Sequence, residues 1–364
     1  MAHIAIDARI IYTSTGRYVE RLVHHLQDLD TKNTYTVLLN QQDYERWEPR
    51  ADNFRKALAD HKQYTFDEQL GLWQQLNRLK PDLVHFTVPQ QPLLYRGRRI
   101  TTIHDLTLIN YVNKRREGAL KNFYKQQVKP RVFARLLRNV VKRSEELIAP
   151  TDYVREQLIT QLHANSEHTT TTYEAAERLA ARAKAIPELA GERFIVYVGN
   201  AFPYKNIQRL IDAASRLKDT KLVLVGKPDF FYGQLQLHTT RKGYANIHFA
   251  GFVSDAELAW IYQHAQLYVF PSLSEGFGLP GLEAMSYGLP VASSSATCLP
   301  EVYGEAAEYF DPTDTAAIHA TIARLLNDPK RLAELKAAGE SQIKKYSWRR
   351  MAEQTLALYQ RSLH

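Results

Sequence analysis

Five residues of chemical interest stand together in "PSLSEGFGLPGLEAMSYGLPV", residues 271–291: Glu275, Gly276, Gly278, Gly281 and Glu283. The glycines have the G-x-G-x-x-G spacing of a dinucleotide-binding turn, in which the missing side chains let a pyrophosphate approach the backbone. That fingerprint belongs on the first strand-to-helix turn of its sheet. Here it follows several strand-like segments, Pro280 fills its fifth position, and the Glu275 carboxylate would crowd a pyrophosphate. NAD is therefore not the expected ligand. What the pattern keeps is a strand, a glycine turn and Pro280 at a helix start. Backbone N–H groups at such an end attract an anion, and the two carboxylates can accept hydrogen bonds from hydroxyls. A ligand that joins hydroxyls to phosphate, such as a nucleotide sugar, suits both. An ordinary turn whose glutamates favour the helix dipole would explain Glu283 but not the glycines.

The elements around this turn alternate. "HIAIDA", "YTVLLN", "PDLVHF", "RRITTIHD" and "ELIAPT" read as strands in the first half; "RFIVYVGN", "TKLVLVGK", "NIHFAGF", "QLYVFPS" and "PVASSS" read as strands in the second. Amphipathic helical segments separate them, among them "TGRYVERLVHHLQDL", "FDEQLGLWQQLNRLK", "NIQRLIDAASRLK" and "SDAELAWIYQHA", the last with Ser254 and Glu257 as a capping box. Apolar strands alternating with helices mean α/β architecture with parallel sheets covered on both faces. Two such blocks mean two Rossmann-like domains, with the cleft outside their strand ends as the expected ligand site. The expected organisation is an N-terminal domain over 1–165, a linker over 166–192, a C-terminal domain over 193–345 and a closing helix over 346–364 that returns to the N-terminal domain.

Composition narrows the class. The 364 residues include one cysteine, Cys298, which excludes an internal disulfide framework and suits a reducing compartment. Asp7 and Arg9 interrupt the only apolar stretch near the N-terminus, so neither a signal peptide nor a membrane span is expected, and the expected location is cytoplasmic. The net charge of +8 lies entirely in residues 1–165, with 26 Lys and Arg against 18 Asp and Glu. An anionic partner for the first half follows. No nucleic-acid motif accompanies the charge, so nucleic acid is not the expected partner. The D-x-D formed by Asp28 and Asp30 ends a helix before a turn, which suits capping and solvation better than a metal site; no metal is expected.

At this point the chain resembles a family. "SEGFGLPGLEAMSYGLPV" is similar to the E-x7-E signature of the family 4 retaining glycosyltransferases, which have the GT-B fold. "YVGNAFPYKNIQRLI", "GFVSDAELAWIYQHAQLYVFPS", "CLPEVYGEAAEYFDPTD", "TSTGRYVERLVHHL" and "TTIHDLTLI" extend the resemblance over nearly all of the chain. It implies that Glu275 accepts hydrogen bonds from the donor sugar, with the backbone of Gly276, Phe277, Gly278 and Leu279 close to sugar and phosphate. Glu283 would bind ribose, Lys205 would neutralise the diphosphate beside Gly199, Gly16 and Arg17 would face the diphosphate from the other domain, and His104 would lie at the catalytic centre. Gly251, Phe252 and Val253 would meet the nucleobase. One departure stands out: many members carry arginine after the glycine of the phosphate turn, where this chain has Asn200. A cation is missing there unless Arg17 or Lys227 replaces it.

The reaction implied is transfer of a mannose- or glucose-type hexose from a nucleoside-diphosphate sugar to a glycan or lipid-linked acceptor hydroxyl, with retention and without cofactor or metal. The leaving diphosphate would help take the acceptor proton. A sugar-nucleotide epimerase and an inert sugar-nucleotide-binding protein are the alternatives. Residues 113–143 hold eleven Lys and Arg against the single acid Glu117, with apolar residues at helical spacing. Packing on the sheet explains the apolar stripe. The charges, with Lys114, Arg115 and Arg116 foremost, point to an anionic membrane surface or a lipid-linked phosphate, making the protein peripheral on the cytoplasmic face of a membrane.

Overall fold

A computed structural model of the chain describes residues 1–13, 15–63, 65–110, 129–179 and 181–364. These fall into two compact units: one holds the described residues up to 174 together with 347–364, and the other holds 175–346.

The first unit is built on a seven-stranded parallel sheet. Its strands are β1 (His3–Asp7), β2 (Thr34–Leu39), β3 (Phe54–Leu58), β4 (Leu83–Phe86), β5 (Arg99–Thr102), β6 (Glu146–Ala149) and β7 (Thr169–Thr171), in the order β3-β2-β1-β4-β5-β6-β7. β1, β4, β5 and β6 are buried along almost their whole length, as a sheet covered on both faces requires. One face packs Ala5, Leu38, Val84 and Phe86 against Leu72, Leu76 and Tyr95. A second core joins Ile103, Leu147 and Ala149 to Leu137 and Val140 of a helix over Lys129–Arg143 and to Val154 and Leu158 of a helix over Asp152–Leu162. α1 (Gly16–Leu29) buries Tyr18, Val19, Leu22, Val23 and Leu26, and the helix over Trp348–Leu363 packs on α1 and β4.

The second unit has a six-stranded parallel sheet in the order β10-β9-β8-β11-β12-β13, formed by β8 (Phe194–Val198), β9 (Lys221–Val225), β10 (Ile247–Gly251), β11 (Leu267–Phe270), β12 (Val291–Ser294) and β13 (Ala307–Phe310). The helix over Asp255–His264 begins with Ser254 and Glu257 in the reciprocal capping box.

Three strands escape the periodicity of the sequence: β3, β7 and β13. Each is an edge strand. β3, "FRKAL", is half exposed and β7 is three threonines, so neither presents a continuous apolar run. β7 lies within residues 166–192, which the sequence assigns to a linker; the first sheet extends through it. The segment "FDEQLGLWQQLNRLK" is helical but not uniform, widening to a π turn over Glu68–Leu72 before Trp73–Leu79. Asp30 is the turn-forming residue expected of it, accepting from the backbone N–H of Lys32 and from the Tyr35 hydroxyl at 2.6 Å, while Asp28 pairs with Arg50 at 3.4 Å.

Candidate functional site

In the second unit the chain leaves β8 through Gly199 and Asn200 and enters a single 3₁₀ turn over Pro203–Lys205. Asn206, with φ 60°, then starts the helix over Ile207–Ala214. Its amide donates to the carbonyl oxygens of Pro271 (3.0 Å) and Pro312 (2.7 Å), which ties the turn to the end of β11. The Leu273 N–H adds a 2.7 Å bond to the Tyr204 carbonyl. These links bring together two residues far apart in sequence: Lys205 Nζ donates to Glu275 Oε1 at 2.7 Å, with the two side chains only 12% and 11% exposed. The ammonium also lies 5.3 Å from the Tyr204 ring centre and 5.5 Å from that of Phe270, so aromatic faces reinforce its position.

Glu275 is held by its backbone. Its N–H donates to Thr297 Oγ1 at 3.1 Å, and the buried Cys298 thiol donates to its carbonyl. Burial raises that thiol well above the usual cysteine range, with the charge of Glu275 adding to the effect. Cys298 is thus a packed thiol and not a nucleophile.

The glycine turn has a structural reason that the motif alone does not reveal. Gly278 has φ 89° and caps the helix over Leu279–Ser286. A Cβ there would lie 2.6 Å from Leu299 and 2.7 Å from the Tyr303 hydroxyl, and one at Gly281 would lie 2.3 Å from that hydroxyl. Tyr303, fully buried, donates to the Gly278 carbonyl. Burial, with Glu275 adding to it, raises the phenol far above its ordinary value, so it remains a donor. Gly278 and Gly281, both buried, therefore admit Tyr303 where any side chain would collide with it. Glu283 lies in the first turns of this helix and is 9% exposed; Phe277 is buried, edge-on to Tyr346. At the end of β10, Gly251 has φ 70° and Phe252 is 79% exposed, an aromatic face open to stacking. Asn200 supplies no charge: its side chain accepts weakly from the Phe202 N–H at 3.4 Å. Lys227 is exposed, one residue beyond Gly226.

In the first unit His104 follows β5. Its Nε2 donates to the Thr87 carbonyl at 3.0 Å, and its Nδ1 faces Glu174 Oε1 at 3.2 Å. The Tyr18 ring meets it edge-on at 5.0 Å. His104 is thus oriented by two partners. Glu174, 8% exposed, carries no signal in the sequence because it lies 70 residues away. Gly16 opens α1, where a Cβ would lie 1.7 Å from the Ile10 carbonyl oxygen, so only glycine lets the helix start against this turn. Arg17 beside it is half-buried.

Two further buried groups were not expected. Arg9 bonds Asp7 through Nε and Nη2, both at 2.8 Å, and Glu68 at 3.0 Å, with all three residues at most 5% exposed. Burial works against the guanidinium charge, but the two carboxylates outweigh it and raise its pKa. His85, in the middle of the sheet, meets the Tyr359 hydroxyl at 2.6 Å and Thr102 Oγ1 at 2.8 Å, and Thr102 meets Tyr18 at 3.0 Å. Burial, aided by His104, holds His85 down to about 3. Lys114, Arg115 and Arg116 lie outside the described residues. Among the described residues, His24, His25 and Asp28 bring ligand atoms within 4.8 Å of one another on the surface of α1.

Comparison with known proteins is consistent across both units. Residues 15–175 match glycosyltransferase family 4 and residues 181–342 match glycosyl transferases group 1. The chain is 31% identical over 283 residues to the O-antigen chain mannosyltransferase B of Escherichia coli, covering 72% of this chain and 70% of that protein. It is 35% identical over 181 residues to the MMP alpha-(1->4)-mannosyltransferase of Mycolicibacterium hassiacum, covering 47% of this chain and 43% of that one. Its fold is similar to that of Anabaena HepE, solved in complex with UDP and glucose, at a TM-score of 0.73 and 17% identity over 98% of this chain and 99% of the other. With a parallel Rossmann-like sheet in each unit, the chain belongs to glycosyltransferase family 4 and is a glycosyltransferase of the GT-B fold.

Proposed function

We propose that the enzyme transfers a mannose- or glucose-type hexose from a nucleoside-diphosphate sugar to a hydroxyl of a growing glycan or lipid-linked acceptor, with retention at the anomeric carbon. The observation that carries this reading is the Lys205–Glu275 pair beside the glycine turn that opens the helix over Leu279–Ser286. A cation and a helix N-terminus together suit a diphosphate, and a carboxylate beside them suits sugar hydroxyls. In the free protein the two side chains satisfy each other; a bound donor would exchange that contact for phosphate on Lys205 and hydroxyls on Glu275. Glu283 takes the ribose hydroxyls, and the exposed Phe252 stacks on the base. The two relatives named above are mannosyltransferases, which favours mannose.

During the reaction the charge that develops on the leaving diphosphate is met by Lys205 and the N–H groups after Gly276. The acceptor proton passes to the same diphosphate oxygen, on the face from which the acceptor attacks. His104, oriented by Thr87 and Glu174, acts as a hydrogen-bonding group at the reacting sugar. No side chain need form a covalent intermediate, and no metal is needed where Lys205 supplies the positive charge.

A thermal-shift panel of GDP-, UDP- and ADP-sugars tests donor binding, since a ligand at a hundred times its dissociation constant adds about 2.7 kcal/mol. Transfer to a mannosylated acceptor, with the product's anomeric configuration read by NMR, tests retention; an inverted product would overturn it. Activity should persist in excess EDTA, and loss restored by manganese or magnesium would refute the metal-free step. Free nucleotide released without acceptor would favour the epimerase instead.

The basic stretch over 113–143 supports attraction of the enzyme to an anionic membrane, where it would work peripherally on the cytoplasmic face. No helix among the described residues is long and apolar enough to cross one.

A further inference from the structure

Both ring nitrogens of His104 face acceptors. Thr87, directly after β4, is fully buried, and its hydroxyl donates to the Asp7 carbonyl at 2.6 Å. Its own carbonyl oxygen cannot donate, so the 3.0 Å contact with His104 requires a proton on Nε2. On the other side of the ring, Nδ1 meets Glu174 Oε1 at 3.2 Å, with the two side chains 13% and 10% exposed. A neutral imidazole has one N–H, and Nε2 holds it. Nδ1 would then aim a bare lone pair at a carboxylate that only accepts. A second proton between the two makes the contact a hydrogen bond.

The fold keeps Glu174 at this place. β5 and β7 flank β6, so His104 and Glu174 leave the same edge of the sheet on either side of that strand. Beyond β7, the Thr172 N–H donates to the Ala149 carbonyl at 2.9 Å, at the end of β6. The hydroxyls of Thr171 and Tyr173 donate to Asp152 at 2.6 and 3.1 Å. The other titratable groups around the ring have settled states. Burial raises the Tyr18 phenol far above its ordinary value, so it stays neutral. His85, held at about 3, is neutral as well. Asp105 accepts from the Thr107 N–H at 2.7 Å, and the Asp7 carboxylate is paired with Arg9.

We propose that Glu174 is a positioning residue whose carboxylate keeps His104 protonated on both nitrogens, so that His104 enters the transfer reaction as a cation and not as a base. The proposal rests on the reading above that sets His104 at the reacting sugar. The Nδ1 contact is longer than the about 2.7–2.9 Å of a tight charge-assisted bond. A sugar hydroxyl can therefore take the place of Glu174, and it then meets a charged donor.

Imidazole ¹⁵N NMR on the full chain reads the protonation directly, with the His104 signals assigned by their loss in His104→Gln. At pH 7.5, about one unit above the ordinary imidazole titration, both nitrogens of His104 should show protonated shifts. Glu174→Gln separates charge from orientation, because its amide NH₂ donates to Nδ1 while Nε2–H keeps its bond to Thr87. In that variant the ring should be neutral and kcat at pH 7.5 at least about tenfold lower, with the melting temperature unchanged. The ratio of variant to wild-type kcat should then climb as the pH falls from 8 to 6, where an ordinary imidazole takes up a proton unaided; a purely structural loss would not recover with acid. A bare Nδ1 in the wild type, or a Glu174→Gln variant with wild-type kcat and pH profile, overturns the proposal. Sugar transfer by a chain whose His104 carries one proton defeats the pair alone. A doubly protonated His104 in a chain that neither binds sugar nucleotides nor transfers sugar defeats the proposed reaction and leaves the pair standing.

Discussion

Lys205 and Glu275 answer to each other before they answer to any ligand, which shapes what their removal does. Glu275→Ala and Lys205→Ala should each lower transfer by about a hundredfold or more, since each deletes a charge-bearing contact to the reacting group. Each also strands a largely buried partner, so the melting temperature should be followed beside turnover. Glu283→Ala should act mainly on nucleotide affinity. Near-normal turnover in Glu275→Ala would show that the site lies elsewhere. Gly278→Ala makes a separate demonstration. Positive φ and the overlap with Leu299 and Tyr303 act together there, and the loss should be about 1–3 kcal/mol, read by denaturant unfolding. Wild-type stability in that variant would mean that Tyr303 does not pack as described. The motif glycines, Glu275, Lys205 and His104 were legible because each belongs to a local pattern. Tyr303, Glu174, Arg9 and His85 were not, because each owes its environment to a partner that the fold alone brings close: Tyr303 sits 25 residues from Gly278 and Tyr359 sits 274 from His85.

At the scale of elements, the central strands and the edge strand β10 were legible, whereas the edge strands β3, β7 and β13 were not. A strand covered on both faces must be apolar throughout, whereas β3 and β7 have one flank without a neighbouring strand and can be polar or short. The buried polar chain from Tyr359 through His85 and Thr102 to Tyr18 joins a helix, two strands and α1, and it makes stability sensitive to acid. An unfolded imidazole titrates near 6.5, whereas His85 in the fold titrates at about 3. Between those values the unfolded chain takes up a proton that the native one refuses, so stability falls as the pH drops below about 6.5 and this group contributes nothing above it. The slope should approach 1.4 kcal/mol per pH unit. Denaturant titrations from pH 4.5 to 7.5 should show a shallower dependence for His85→Gln than for the wild type; identical slopes would assign the acid sensitivity to other groups.

For the whole molecule, charge asymmetry is the property that composition alone makes plain. The net +8 of residues 1–165 predicts co-sedimentation with vesicles containing anionic lipid, fading as salt rises and weakening when Lys114, Arg115 and Arg116 become glutamine. Equal recovery with neutral and anionic vesicles would leave the basic stretch an ordinary solvated surface.

The helix over Trp348–Leu363 belongs to the first unit, although residues 175–346 intervene. That order has a consequence for biosynthesis. The ribosome makes the first sheet early and its covering helix only after the whole second unit. At about 5–20 residues per second, β4 and α1 wait on the order of tens of seconds for that helix, with the site of Tyr359 against His85 still open. A nascent chain of this kind presents unfinished apolar surface throughout that interval. A stop codon before residue 347 would leave the surface permanently uncovered, although the whole second unit had already been made.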